Sequence, residues 1–249
     1  MKASNAALYG KGIFTTIAIY DGEPFLWEKH WLRLTSNGAK IGIDLSDHSE
    51  QTTHTSLIEV IEKNGVTGGR ARITFSDESE SPIWGSETGS NTGLQIITDD
   101  LRPISDNVKI TVSPYPVNSR SPLAGVKSCN YLENLLAIEN AKKGGFNEAI
   151  RLNERGEITS ACMANVFWLK DERLYTPSLS TGCLAGTTRE FVMENLNCSE
   201  VESGFEELEK ADGIFLTSAG LGVIQAAQFG SRAFETIAHP ILNILPKHA

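Results

Sequence analysis

Three prolines fall within the twelve residues PYPVNSRSPLAG, 114–125. Each removes a backbone donor and fixes φ, so neither a helix nor a central strand is expected to run through them. The chain must then organise itself on either side, and the expected limits are an N-terminal domain of residues 1–114, a linker of 115–125 and a C-terminal domain of 126–249. On the first side, 12–27 reads as a hairpin, with the β-rich run IFTTIAIY, an Asp21-Gly22 pair suited to a tight primed turn, and EPFLW. From Glu28, Trp31, Leu34, Gly38 and Ile41 recur at helical spacing, and a second amphipathic helix, SLIEVIEKNG, is capped at Gly65. Strands are expected at RARITFS, GLQIIT and VKITVSP, and Asp77 to Thr92 reads as a mobile surface loop.

Beyond the prolines, VKSCNYLENLLAIENAKKGG sets a helical period that two glycines end. NEAIRL, EITS, ANVFWLK and RLYTP follow as short antiparallel strands with turns at Glu154–Gly156 and Asp171-Glu172. A helix over 187–196, a turn of helix near 205–210, strands GIFLTS and GVIQA, and a closing helix complete the expected α+β count. With 40% hydrophobic residues among 249, there is enough apolar material for one large core or two modest ones.

A net charge of −9, without a Lys/Arg block, argues against nucleic acid as a partner. No run approaches the roughly 18 apolar residues of a membrane span, and the start MKASNAALYG lacks a signal-peptide core, so a soluble cytoplasmic protein is expected. The four cysteines form no CxxC pair and the five histidines are scattered. No metal site is predicted.

Lys127 follows the Pro-rich stretch and precedes a helix. A lysine so placed is ordinarily solvated surface, but other segments offer what a phosphate needs. Gly186, Thr187 and Thr188 stand at a helix start, where unpaired backbone N–H groups take anions. Thr217 to Gly220 is a second strand-ending turn of small hydroxyl residues. Arg33 can add a charge-assisted pair.

These segments fall in the order GxGxF (10–14), HxxRL (30–34), LAGVKSCNYLENLLA (123–137), GEITSACMANVFW (156–168) and YTPxxxxGxLAGTTR (175–189). The set resembles the class IV aminotransferases, the fold-type IV group that includes branched-chain and D-amino-acid aminotransferases and aminodeoxychorismate lyase. The resemblance implies a two-domain fold like that of D-amino-acid aminotransferase, with a small N-terminal α/β sandwich and a larger, β-barrel-like C-terminal domain. It also implies pyridoxal 5'-phosphate and a homodimer acting on a small-molecule amine.

Carried over by position, Lys127 matches the Schiff-base lysine that shuttles the substrate proton. Arg33, Gly186, Thr187, Thr188, Ser218 and Ala219 match the phosphate contacts. Tyr131 stands near the family tyrosine at the cofactor's phenolic oxygen, and Thr15 and Thr16 stand at the substrate side.

There are departures. Ser160 stands where the family places the carboxylate that faces the pyridine nitrogen, and Glu157, three residues away on a strand, points to the other face. Phe14-Thr15-Thr16 lacks the glutamate of the aminotransferases and looks like the lyase branch, while Asp77 replaces a usual arginine or glycine. The expected activity is release of pyruvate from 4-amino-4-deoxychorismate to give p-aminobenzoate. The alternatives are a branched-chain or D-amino-acid aminotransferase, or a pyridoxal-phosphate-binding protein with a decayed site.

Overall fold

The computed structural model describes residues 3–81, 91–100 and 107–246. Its packing separates two units, one of residues 3–81, 91–100 and 126–130, the other of 107–125 and 131–246. This divide differs from the expected limits at 114 and 126, and backbone hydrogen bonding gives the reason. Phe14 N–H donates to Lys127 O at 2.9 Å and Cys129 N–H to Gly12 O at 2.8 Å, so the Lys127 segment lies along a strand of the first unit. Val117 N–H donates to Leu152 O at 2.8 Å, which makes part of the Pro-rich stretch a sheet margin of the second unit.

The first unit runs β1 (Ala3–Ser4), α1 (Asn5–Tyr9), β2 (Gly12–Tyr20), β3 (Glu23–Pro24), α2 (Trp27–Ile41), α3 (Glu50–Lys63), β4 (Gly69–Asp77), β5 (Glu80–Ser81) and β6 (Thr92–Asp100). Strands β3-β2-β4-β6 form an antiparallel sheet. The expected hairpin is present, with Asp21 and Gly22 both at positive φ, as a primed turn requires. In β4, Ala71, Ile73 and Phe75 are buried on one face and meet Ile13, Ile17, Leu34, Leu57 and Ile61 from β2 and the two helices. Alternation in the strands and helical spacing in α2 and α3 thus supply one core, the helix-on-sheet layering expected. Of the expected loop after Asp77, residues 82–90 lie outside the described residues; β5 precedes them and pairs with β1.

Asp77 is structural. It pairs with Lys11 at 2.8 Å and accepts from Asn5 Nδ2 and Ser79 N–H at 3.0 Å each, tying α1 to β4. Burial pushes its carboxyl up, but Lys11, Ser79 and Asn5 outweigh it and hold the group at about 2.

The second unit contains β7 (Lys109–Val112), α4 (Leu132–Lys143), β8 (Glu148–Leu152), β9 (Ile158–Ala161), β10 (Asn165–Lys170), β11 (Arg173–Pro177), α5 (Thr187–Asn195), β12 (Cys198–Val201), α6 (Glu206–Glu209), β13 (Gly213–Ser218), β14 (Gly222–Gln225), β15 (Gln228–Phe229) and β16 (Arg232–Ala233). They form two five-stranded sheets, ordered β16-β15-β7-β8-β9 and β12-β11-β10-β13-β14. Ile110, Ile150 and Ile158 from one sheet and Val166, Trp168, Ile214 and Leu216 from the other share one core. This is the larger, β-rich domain that the resemblance implied, built from two sheets around one core.

Two expectations are corrected. The strands after α4 pair antiparallel as expected, β8 with β9 and β10 with β11, but not as one run, because β9 and β10 enter different sheets. The closing helix is only a 3-10 turn over Pro240–Asn243. Pro240 and Pro246 leave too few residues between them to sustain a helix. Among the described residues no helix is long and apolar enough to cross a membrane.

Candidate active site

Strand alternation sorts the β2 residues. Thr15 shares the parity of Ile13 and Ile17 and is fully buried towards α2, whereas Phe14 and Thr16 occupy the other face, Thr16 opposite Arg72 of β4. Thr15 Oγ1 accepts from Arg33 Nη2 at 2.6 Å and lies 2.6 Å from His30 Nδ1. The Thr15 hydroxyl keeps one hydrogen and a second lone pair, so the His30 tautomer decides which of the two donates. Burial, then the charges of Arg33 and Lys127, lower the His30 pKa well below its ordinary value. Thr15 is therefore engaged in orienting Arg33, a correction to its expected substrate contact; Thr16 alone of the pair keeps the Phe14 face.

On that face Lys127 Nζ lies 4.5 Å and Arg72 Cζ 3.6 Å from the Phe14 ring centroid. The Lys127 backbone is fixed by Phe14 N–H and by its own N–H donating to Asn37 Oδ1 at 2.7 Å. Lys127 is half-buried as a residue, but its amine end is strongly desolvated. That burial, followed by the guanidinium charges of Arg33 and Arg72, brings its pKa down from 10.5 to about 7. The Phe14 ring favours the desolvated cation by ~2 kcal/mol, too little to reverse those effects. The result is an amine available in neutral form near physiological pH, surrounded by cations that favour an anionic ligand.

In the second unit, Gly186 caps α5 without a side-chain hydrogen bond, leaving the first turn's N–H groups to other acceptors. A Cβ built on Gly186 would lie 1.9 Å from Asn165 Oδ1, so any side chain here would have to displace the Asn165 amide. Asn165 Nδ2 in turn donates to Leu184 O at 2.8 Å, and Asn165 pairs with Thr217 across β10 and β13. Asn165 thus gathers the Gly186–Thr188 segment and the Thr217–Ser218 turn, which lie far apart in sequence. Thr187 and Thr188 are buried, Ser218 and Ala219 half-buried. The Thr217 hydroxyl is buried with no hydrogen-bond partner, an orphan that an anionic group at this turn would satisfy. Arg189 seats the start of α5 by donating to Pro177 O at 2.8 Å and pairing with Glu200. This cradle fits a phosphate.

Ser160 is half-buried on β9, and its cross-strand partner is Arg151 of β8. Glu157 cannot replace the missing carboxylate: it accepts from Asn153 Nδ2 at 2.7 Å and pairs with Arg155 at 2.6 Å within the turn. Tyr131 stands immediately before α4, half-buried. Sequence reading missed Arg72, His30, Asn165 and Arg151. The signals for the arginines were charges at positions 72 and 151 inside strand patterns, RARIT and EAIRL.

Among the described residues no cluster of His, Cys, Asp and Glu could hold a metal. The sequence profile of the amino-transferase class IV family matches residues 12–229. Aminodeoxychorismate lyase of Bacillus subtilis is 28% identical over 242 residues, covering 92% of this chain and 82% of the relative. D-alanine aminotransferase of Bacillus licheniformis is 29% identical over 246 residues, 87% of this chain and 78% of the relative. The branched-chain aminotransferase of Thermoproteus uzoniensis, 23% identical, superposes with a TM-score of 0.89 over 97% of this chain and 85% of its own. With the family profile spanning both units, from β2 to β15, the chain belongs to the class IV amino-transferase family.

Proposed function

We propose that this protein is a pyridoxal-phosphate-dependent lyase that releases pyruvate from 4-amino-4-deoxychorismate and leaves p-aminobenzoate. The cofactor, when bound, supplies an aldehyde for the substrate amine and a ring that draws electrons from the adjacent carbon. Lys127 provides the amine that holds it. With its amine brought to about 7, Lys127 Nζ is about half neutral near pH 7 and would take the proton from the substrate carbon bearing nitrogen. The carbon–oxygen bond at the neighbouring carbon would then break, the enolate of pyruvate leaving with the bonding pair and taking up the proton, while the carbocycle becomes aromatic. Arg33, held by Thr15, the start of α5 and the Ser218-Ala219 turn bind the phosphate. Thr16 and Arg72 face the substrate, the guanidinium suited to a carboxylate.

The observation that favours elimination over amino transfer is Ser160 in place of a carboxylate. Amino transfer needs a strong electron sink, which a protonated ring nitrogen provides, and a serine cannot supply the negative charge that keeps it protonated. Elimination is driven by aromatisation and depends on that sink less. Side-by-side assays of p-aminobenzoate release and of amino transfer to an α-keto acid test the reading. Release of p-aminobenzoate that disappears in Lys127→Ala is expected; amino transfer alone would overturn it. Amino transfer is the second reading, favoured by Tyr131 near the family tyrosine and by the D-alanine aminotransferase relative.

The functional unit is proposed to be a homodimer. Leu132, Leu135 and Leu136 of α4 are 65%, 45% and 47% exposed, an apolar stripe that a second copy would cover. Sedimentation at micromolar concentration should give twice the chain mass.

A further inference from the structure

Arg151 occupies the fourth position of EAIRL on β8, in the interior of a sheet between β7 and β9, where its neighbours Ala149 and Ile150 are core residues. It is 3% exposed. A guanidinium there is costly to desolvate, and an aliphatic side chain would satisfy the packing more simply. Each nitrogen of its guanidinium has a partner, but little of that compensation is charge. Three of its contacts are neutral acceptors, Tyr115 O at 3.3 Å, Pro116 O at 3.2 Å and Asn134 Oδ1 at 3.2 Å. The carboxylate it meets, Glu133 at 3.2 Å, is 77% exposed and therefore largely screened by water.

The other ionisable groups nearby do not neutralise it. Glu148, on the same strand but of opposite parity, turns both carboxylate oxygens to the N–H groups of Ala149, Cys162 and Met163. Burial pushes its carboxyl up despite those bonds. The Cys162 thiol, raised to about 12 by burial and by Glu148, also lies within the field of Arg151, which acts to lower it. Ser160 is the residue Arg151 faces across the strand pair, on the same side of the sheet.

We propose that Arg151, acting beside Ser160, holds the ring nitrogen of the bound cofactor in its neutral form. This rests on the assignment of Ser160 to the nitrogen's edge made under the proposed function. A serine alone is neutral towards protonation there. A buried cation on the cross-strand partner opposes it, and the hydroxyl, which can donate, stabilises the unprotonated nitrogen. Arg151 is a positioning residue for charge in this scheme and does not touch the reacting atoms. The competing role is a staple that joins the 115–116 carbonyls to α4.

The test uses holoenzyme loaded with cofactor carrying nitrogen-15 in the ring, whose chemical shift reports protonation directly. In the wild type the nitrogen should be unprotonated at pH 7. In Arg151→Leu its pKa should rise by about one unit or more, the smaller end of what a neighbouring charge does. Arg151→Lys keeps the charge but loses the planar fork to the two carbonyls, so its titration should stay close to wild type. A staple would make lysine behave like leucine and would move stability without moving the shift. A protonated nitrogen in the wild type would overturn the inference even if Arg151→Leu fails to fold. So would an unchanged titration in a folded Arg151→Leu, or a leucine-like titration in Arg151→Lys. Failure of the label to be retained on Lys127 after borohydride would instead overturn the assignment of the site itself.

Discussion

Lys127 couples the site to stability in a way that can be measured without substrate. In the folded protein, burial and the charges of Arg33 and Arg72 bring its amine from 10.5 to about 7. In the unfolded chain it titrates at about 10.4. Between these values the unfolded state carries a proton that the folded state has released, so unfolding free energy rises with pH. Below about pH 7 both states are protonated and the full penalty of burying the cation is present; above about 10.5 neither is, and the contribution levels off. The slope from this group is at most about 1.4 kcal/mol per pH unit. Lys127→Met removes the charge and keeps the length of the side chain. Urea denaturation of the cofactor-free proteins at pH 7 and pH 9 should then show wild type gaining about 2–3 kcal/mol on the variant, other titrations cancelling in the difference. The variant should also be the more stable at pH 7. Parallel pH profiles would refute the desolvated, guanidinium-flanked amine.

Gly186→Ala should cost about 1–3 kcal/mol and release cofactor, because the new methyl meets Asn165 Oδ1, which also anchors Leu184; unchanged melting temperature and cofactor retention would show that the loop yields freely. Thr15→Val removes the hydroxyl between Arg33 and His30. It should destabilise by about 1–3 kcal/mol and raise the cofactor dissociation constant, measured by equilibrium dialysis, with an effect on stability alone returning Thr15 to the core. Arg33→Ala should weaken cofactor retention more than turnover at saturating cofactor, since its contact is to the unreacting phosphate; equal retention would free Arg33 of that role. Ser160→Glu should raise the ratio of amino transfer to elimination, and raise it more when combined with Arg151→Leu, because the arginine otherwise draws the introduced carboxylate to itself. A ratio unmoved in both would remove residue 160 from control of the ring nitrogen.

What the sequence determined by itself was local. The Asp21-Gly22 turn, the helical spacing from Trp31 to Ile41, the alternation of RARITF and the glycines closing α4 are each set by interactions within a few residues, and all appear where expected. Motif order likewise carried the family, because five separated segments in register are hard to match by chance. Sheet membership was not legible, since β9 and β10 are adjacent in sequence yet enter different sheets. Nor was the attachment of the Lys127 segment to β2, a pairing between residues more than a hundred positions apart. The roles of Thr15, Arg72, Asn165 and Arg151 follow from such long-range pairings. A strand pattern says which side chains share a face, but only tertiary register decides what stands opposite them, and here it set Arg151 against Ser160 and turned Thr15 towards Arg33.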